Sequence, residues 1–163
     1  MNTEKIFTAL EEQYGAAFKT LENIINFCPD EIWINSPNTP PIYGVVNHIL
    51  YFVDLYFSKS KEERERYKPK FPDEQDDMYM KRTLEKTDLL EYIKEMRSKA
   101  KKLFSTMTLE ELQSESVFEW HGSSRLSSLL YNLRHIMLHI GALQVRLRHY
   151  GVDEKFWISK ADL

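Results

Sequence analysis

Two histidines near the C-terminus, His135 and His139, have the residue type and the spacing of a metal-binding pair. On a helix, residues four apart lie about 40° apart around the axis, with Cβ atoms about 6 Å from each other. Both imidazoles can then face one metal ion. His48 lies in another apolar helical stretch and could supply a third nitrogen. Three imidazole nitrogens with an open fourth position are typical of a catalytic, zinc-type site.

The same histidines also have ordinary structural interpretations. An H-x-x-x-H pair recurs by chance in many helices, and both residues flank the apolar stripe of their helix, as two surface histidines would. A lone histidine among apolar neighbours, such as His48, is often a hydrogen-bonded core residue. We expect His121, in a predicted loop, to be exposed to solvent. His149 follows His139 by ten residues, about 15 Å along the axis, which is too far to share the site.

The elements that must position these side chains are predicted to be four long helices. Apolar residues with helical periodicity cover about residues 3–27, 42–59, 87–106 and 126–150. Five Gly, six Pro and 42% hydrophobic residues favour helices around a substantial core. The polar stretch 60–86 is predicted to be a crossover. The sequence therefore predicts an all-α four-helix bundle with a long crossover between helices 2 and 3, as a single domain over residues 1–163.

The connections between these helices have weaker patterns. Residues 29–40 are predicted to form a loop with Trp33 as its buried anchor. Residues 114–125 are predicted to form a short extended segment or hairpin. In the C-terminal tail, we expect Phe156, Trp157 and Ile158 to pack back on the bundle.

Composition and charge restrict the partners. The net charge is −3 without a basic block, which argues against binding to nucleic acid. Cys28 is the only cysteine, so no intramolecular disulfide forms, and this suits a reducing cytoplasm. The sequence has neither a secretory signal pattern nor an 18-residue apolar run, so we expect a cytoplasmic protein with no membrane association. Tyr56, Phe57 and the aromatic-rich second helix could supply a patch for pairing, so we expect a homodimer or a mixture of monomer and dimer.

Several well-known catalytic motifs are missing. The sequence contains no G-x-S-x-G, P-loop, G-x-G-x-x-G or H-E-x-x-H motif, nor the E-x-x-H motif of di-iron bundles. The chemistry that remains is a single metal site built from histidines alone.

The order of these features resembles the DinB/YfiT-like family of four-helix-bundle metalloenzymes. The sharpest parts of the resemblance are P-I-Y-G-V-V-N-H-I-L over residues 41–50 and H-I-M-L-H-I-G-A-L over residues 135–143. The resemblance implies that His48, His135 and His139 bind one divalent metal ion. Many relatives have Gln directly after the glycine of the second motif, where this chain has Ala142, so any role of that amide is in doubt.

The resemblance also implies a range of functions. Relatives include metal-dependent hydrolases and enzymes that transfer low-molecular-weight thiols, whereas others have no known activity. We therefore expect a metal-dependent enzyme for a small-molecule substrate, with zinc or nickel as the ion, and with a low-molecular-weight thiol as a further candidate cofactor. Tyr51, three residues after His48, and Asn132, three residues before His135, are candidates for orienting water or ligands.

Two alternatives belong to other functional classes. The chain could be a non-catalytic, stress-related bundle with a structural or vestigial metal site, or a helical module for protein interactions. A purified chain without stoichiometric metal, together with unchanged function in His135→Ala, would favour the first alternative over an enzyme. An exposed apolar face without a cleft would support the second.

Overall fold

The helices of this chain begin and end close to the positions that the sequence predicts. The computed structural model describes residues 3–34, 39–71, 78–80 and 82–163. The helices are α1 (Thr3–Phe27), α2 (Asp30–Ile34), α3 (Ile42–Tyr56), α4 (Lys61–Arg66), α5 (Lys86–Thr106), α6 (Leu109–Gln113) and α7 (Arg125–His149), and a 3₁₀ turn covers Glu119–His121. The described residues include no β-strand, so the predicted all-α fold is confirmed.

The four long helices, α1, α3, α5 and α7, form a four-helix bundle. Both α1 and α3 pack against α5 and α7, so α1 and α3 lie diagonally opposite each other. Helix α3 is apolar nearly all round and is covered by its neighbours, as expected for such a helix. Its side chains at Val46, Ile49, Leu50 and Val53 are fully buried. The same core contains residues of α1, α5 and α7.

The loop between α1 and α3 contains a short helix that the sequence did not indicate. Trp33 is buried as predicted, but it belongs to the short helix α2, and its indole N–H donates to the carbonyl oxygen of Leu84 at 2.9 Å. The crossover between α3 and α5 contains α4. Residues 35–38 of the loop, and residues 72–77 and 81 of the crossover, lie outside the described residues.

The prediction of an extended segment or hairpin at residues 114–125 is wrong. This stretch forms a 3₁₀ turn that ends at Gly122, whose φ of 117° suits glycine. Its apolar side chains Val117 and Phe118 pack against Tyr56 of α3. The described residues contain no strand with which an extended segment could pair. A compact turn instead provides partners for the backbone N–H and C=O groups within the segment itself.

Two predictions about aromatic side chains also need correction. Tyr56 and Phe57 are 5% and 1% exposed, so they form no surface patch. Tyr56 packs against Phe118 and His121 instead, because α3 lies between two neighbouring helices. In the C-terminal tail, Phe156 is buried as predicted but Trp157 is 63% exposed.

Among the described residues, no helix combines the length and the apolar character that a membrane span needs.

A buried arginine joins the start of α7 to the end of α3. Arg125 is 3% exposed, and its guanidinium donates to the carbonyl oxygens of Tyr56 at 3.4 Å, of Phe57 at 2.9 Å and of Ser58. These carbonyls have no partner within α3, because the last turn of a helix leaves its acceptors free. Arg125 therefore holds α3 and α7 together near the 3₁₀ turn.

We expect Arg125→Leu to lower the free energy of unfolding by about 2–4 kcal/mol, because buried carbonyls lose a charged donor. Urea unfolding of the variant measures the loss. Arg148→Leu, at an exposed position of the same helix, is the matched control and should change stability by less than about 0.5 kcal/mol. Equal stability of the Arg125 variant and the parent would show that this contact contributes nothing.

Candidate metal centre

Three histidines of α3 and α7 converge where these two helices pack. His48 lies in the middle of α3, and His135 and His139 lie on successive turns of α7. The i, i+4 spacing keeps the last two on one face of α7. That face lies beside the apolar stripe formed by Ile136 and Ile140, which are fully buried. The packing of α3 against α7 then brings His48 opposite the pair.

The distances within this cluster are short. The Nε2 atoms of His135 and His139 lie 3.1 Å apart. The ring centroids of His48 lie 5.3 Å from His135 and 4.8 Å from His139. One nitrogen from each ring lies within 4.8 Å of the other two. The structure therefore brings together all three histidines that the sequence singled out.

The donor set and its geometry fit a divalent ion. Two nitrogens that bind a tetrahedral zinc at about 2.0–2.1 Å lie about 3.3 Å apart, and the Nε2 atoms of His135 and His139 are already at 3.1 Å. The ligand nitrogen of His48 lies within 4.8 Å of the other two and would have to move closer for all three to bind one ion. Imidazole nitrogen suits zinc, copper, iron and nickel, so the cluster could hold a metal ion without fixing its identity.

Burial keeps two of these rings in the form that binds metal. Desolvation, followed by the neighbouring His139, His48 and His121, lowers the pKa of His135 to about 3. Desolvation, followed by the charge of His48, also lowers the pKa of His139. A metal ion binds the neutral imidazole, so protons do not compete for these two nitrogens near neutral pH.

One side of the cluster is lined by aromatic rings. Phe52 contacts His48 and His135 edge-on, with ring centroids 4.8 and 5.1 Å away. Tyr51, one of the two candidate orienting residues, is half-buried and packs edge-on against Phe52 and Tyr67. His135 and His139 are themselves only partly buried, so solvent reaches the cluster.

Asn132, the other candidate orienting residue, lies inside the protein. It is fully buried on α7, one turn before His135. Its amide lies beside the hydroxyl of Tyr14, which donates to the carbonyl oxygen of Leu129 at 2.8 Å, but no hydrogen bond of good geometry joins the amide to that hydroxyl. Nδ1 of His135 also has no hydrogen-bond partner in the described structure. Each unsatisfied buried polar group costs about 1–3 kcal/mol. Residues that retain such groups beside a candidate metal ligand are of functional interest.

His121 is buried, and the prediction of an exposed loop residue is wrong. Only 7% of it is exposed, and its ring stacks between Phe118 and Tyr131 at centroid distances of 4.8 and 4.0 Å. Its Nδ1 lies 3.3 Å from the hydroxyl of Ser128. The apolar pair Val117-Phe118 just before it was the one local signal of burial. The stacking on Tyr131 depends on tertiary packing, which the local sequence does not reveal.

Acid should destabilise the metal-free protein through His121. Desolvation, and then the charge of Arg125, lower its pKa to about 4, whereas a histidine in an unfolded chain has a pKa of about 6.5. Above pH 6.5 the ring is neutral in both states. As the pH falls from about 6.5 towards 4, the unfolded chain binds the proton more readily, and the free energy of unfolding decreases by up to about 1.4 kcal/mol per pH unit.

We therefore expect His121→Gln to flatten the dependence of the urea midpoint on pH between 6.5 and 4, because the variant has lost this proton uptake. His149→Gln, which removes an exposed histidine at the end of α7, is the control and should keep the parent slope. An unchanged slope in the His121 variant would contradict a buried, neutral ring.

Comparisons with known proteins agree with this architecture. A family model described as the DinB superfamily matches residues 8–143, a range that includes His48, His135 and His139. No curated protein and no solved structure is significantly similar to the chain. The matched range covers most of the sequence, with all of α3 and α5 and most of α1 and α7, so the chain belongs to the DinB superfamily.

Proposed function

We propose that this protein is an enzyme that binds one divalent metal ion through His48, His135 and His139 and acts on a small-molecule substrate. The observation that carries the proposal is the convergence of three imidazoles from two helices, with two Nε2 atoms 3.1 Å apart. Three protein nitrogens leave an open position on a four-coordinate ion, as in catalytic sites, whereas structural sites use four protein ligands.

The composition of the cluster supports a catalytic role. It contains neither a carboxylate nor a thiol among the described residues, so its ligands would leave the full positive charge of the ion in place. A divalent ion held in this way acts as a Lewis acid towards an oxygen or sulfur in the open position. His135 and His139 are partly exposed, so a small molecule has access to that position.

An uncharged ligand set favours an anionic partner, because the ion keeps its charge of +2. A low-molecular-weight thiol, bound as the thiolate and transferred to an electrophilic substrate, meets this requirement. Hydrolysis of a small molecule is the alternative reaction at the same site. We propose zinc as the ion and nickel as the second candidate, since imidazole suits both.

Asn132 and Tyr51 have different supporting roles in this proposal. Asn132 is fully buried one turn before His135, so it would orient that ligand from behind rather than touch the substrate. Tyr51 is half-buried on α3, one turn after His48. Its hydroxyl would hold or exchange a proton with a ligand on the solvent side of the cluster.

A non-catalytic interaction module is the second candidate function. It is favoured by the exposed apolar side chains of α7, where Leu130, Leu138 and Val145 are 52%, 68% and 67% exposed. These residues recur at helical spacing on one face. If the chain forms the homodimer that we propose, this face would supply the contact, because Tyr56 and Phe57 are buried.

The first test is metal affinity. We expect the parent to bind about one equivalent of zinc, and His139→Ala to bind it at least about 100-fold more weakly, because one of three ligands is lost. Competition with a chelating dye measures both constants. The metal-free variant should remain folded to within about 1 kcal/mol, since His139 is only partly buried.

His149→Ala serves as the matched control for that experiment, because it removes an exposed histidine from the same helix. It should bind zinc like the parent. Parent-like zinc affinity in the His139 variant, or no stoichiometric binding by the parent, would contradict the metalloenzyme proposal and favour the interaction module.

The second test distinguishes thiol transfer from hydrolysis. Cobalt(II) substitutes for zinc in nitrogen sites and has a visible spectrum. We expect that adding a low-molecular-weight thiol to the cobalt-loaded parent produces a sulfur-to-cobalt charge-transfer band that saturates with thiol concentration. The oxygen analogue of the same thiol is the control. If the spectrum does not change at high thiol concentration, thiol transfer is excluded and hydrolysis stays as the proposed reaction.

A further inference from the structure

The unsatisfied polar atoms of this protein are concentrated behind the candidate metal centre. In the part of the chain that the structure describes, four buried side-chain atoms lack a hydrogen-bond partner: Nε2 of His121, both amide atoms of Asn132 and Nδ1 of His135. His121 is anchored on α7 at Ser128, and Asn132 and His135 occupy the next two turns of the same helix. Four such atoms beside neighbouring turns of one helix call for a common explanation.

The hydrogen bonds around His121 fix which of its nitrogens carries the proton. The hydroxyl of Ser116 donates to the carbonyl oxygen of Phe118 at 2.6 Å, so its single proton is used. Ser128, whose Oγ is 2.6 Å from that of Ser116, must therefore donate to Ser116. Nδ1 of His121 then donates to Ser128 across 3.3 Å. As a result, the neutral ring of His121 presents a bare Nε2 lone pair, which is an acceptor.

His135 offers the complementary group. When its Nε2 binds an ion together with Nε2 of His139, the neutral ring carries its proton on Nδ1, which is a donor. This nitrogen is buried and has no partner in the described structure. The amide of Asn132 contributes both a donor and an acceptor. His121, Asn132 and His135 thus offer complementary donors and acceptors that form no direct hydrogen bond with one another.

The rings of His121 and His135 face a common neighbour. The ring of Tyr56 lies 4.3 Å from that of His121 and 6.3 Å from that of His135. Tyr131, which stacks on His121, lies one turn of α7 before His135. The two imidazoles therefore both border the ring of Tyr56. Buried water commonly joins polar groups that do not touch directly.

We propose that His121 and Asn132 position the metal ligand His135. Ordered water and the Asn132 amide join Nδ1–H of His135 to the Nε2 lone pair of His121, and Ser128 and Ser116 hold His121 in the required tautomer. This relay fixes the imidazole of His135 with its Nε2 towards His139. Metal-binding histidines commonly donate their second nitrogen in this way, and loss of the partner weakens binding by about 10- to 100-fold. The proposal rests on the proposed function, because it needs an ion at the three histidines.

Two substitutions at one position separate positioning from structural support. The amide of glutamine reaches the place of Nε2 and keeps an acceptor there, whereas asparagine reaches only the place of Nδ1 and keeps the bond to Ser128. Both lose the ring that stacks between Phe118 and Tyr131. We therefore expect His121→Asn to bind cobalt(II) about 10- to 100-fold more weakly than the parent, and His121→Gln to recover most of that loss.

A purely structural role of His121 predicts the opposite order. Asparagine would then match or exceed glutamine in metal affinity, because it keeps the bond to Ser128, and this result would overturn the proposal. Parent-like affinity in both variants would also overturn it while leaving the proposed function intact. If the parent binds no cobalt(II), both this proposal and the proposed function fail. Thermal unfolding of the metal-free variants shows that each is folded before its titration is interpreted.

The tautomers provide a readout that does not depend on affinity. Nitrogen-15 correlation spectra of the imidazoles should show His121 protonated at Nδ1 in the metal-free parent. In the zinc-loaded parent, the Nδ1 proton of His135 should exchange slowly with solvent, and it should exchange fast in His121→Asn and in Asn132→Leu. A proton on Nε2 of His121, or slow exchange in both variants, would contradict the relay.

Discussion

The packing of α3 against α7 is the contact on which the rest of this structure depends. It buries the apolar face of α3 and at the same time places His48 opposite His135 and His139. Arg125 reinforces the contact, since its buried guanidinium donates to the last carbonyls of α3. A shift of one helix past the other by a single turn, about 5.4 Å, would separate the three nitrogens. The apolar core therefore determines the geometry of a polar site.

This contact also explains why His135 and His139 are neutral. Burial at the contact lowers the pKa of His135 to about 3 and lowers that of His139 as well. Desolvation disfavours the charged imidazole, so the same packing that brings the nitrogens together keeps their lone pairs available for a metal ion. The buried polar atoms of Asn132 on α7, and of His121 beside it, lie next to these histidines and also lack hydrogen-bond partners in the described structure. Their burial has a cost in stability that binding at the site would offset.

The sequence was sufficient for the features that follow from local periodicity. Repeating apolar residues located the four long helices, and the i, i+4 spacing placed His135 and His139 on one face. The second helix was predicted to end at residue 59, but α3 ends three residues earlier, at Tyr56. Beyond Tyr56 the backbone carbonyls accept from the guanidinium of Arg125 instead of continuing the helix. Helix termini depend on such tertiary partners, which periodicity does not contain.

The errors concern side chains whose surroundings come from distant parts of the chain. His121 sits beside a glycine and looked like a surface residue, yet it is enclosed by Phe118 and Tyr131. Tyr56 looked available for a dimer contact, but it packs against the same 3₁₀ turn that buries His121. Both errors have one cause: the short segment before α7 folds over the end of α3, and the apolar pair Val117-Phe118 was its one local signal in the sequence.

The central claim is that three imidazoles from two helices bind one metal ion. X-ray absorption spectroscopy at the zinc edge of the zinc-loaded protein tests this claim most directly, because it measures the ligand type and the distance together. The account predicts three imidazole nitrogens at about 2.0–2.1 Å, with the outer-shell scattering of imidazole rings and one further light atom. A spectrum with fewer than three imidazoles, or with sulfur from the protein as a ligand, would contradict it.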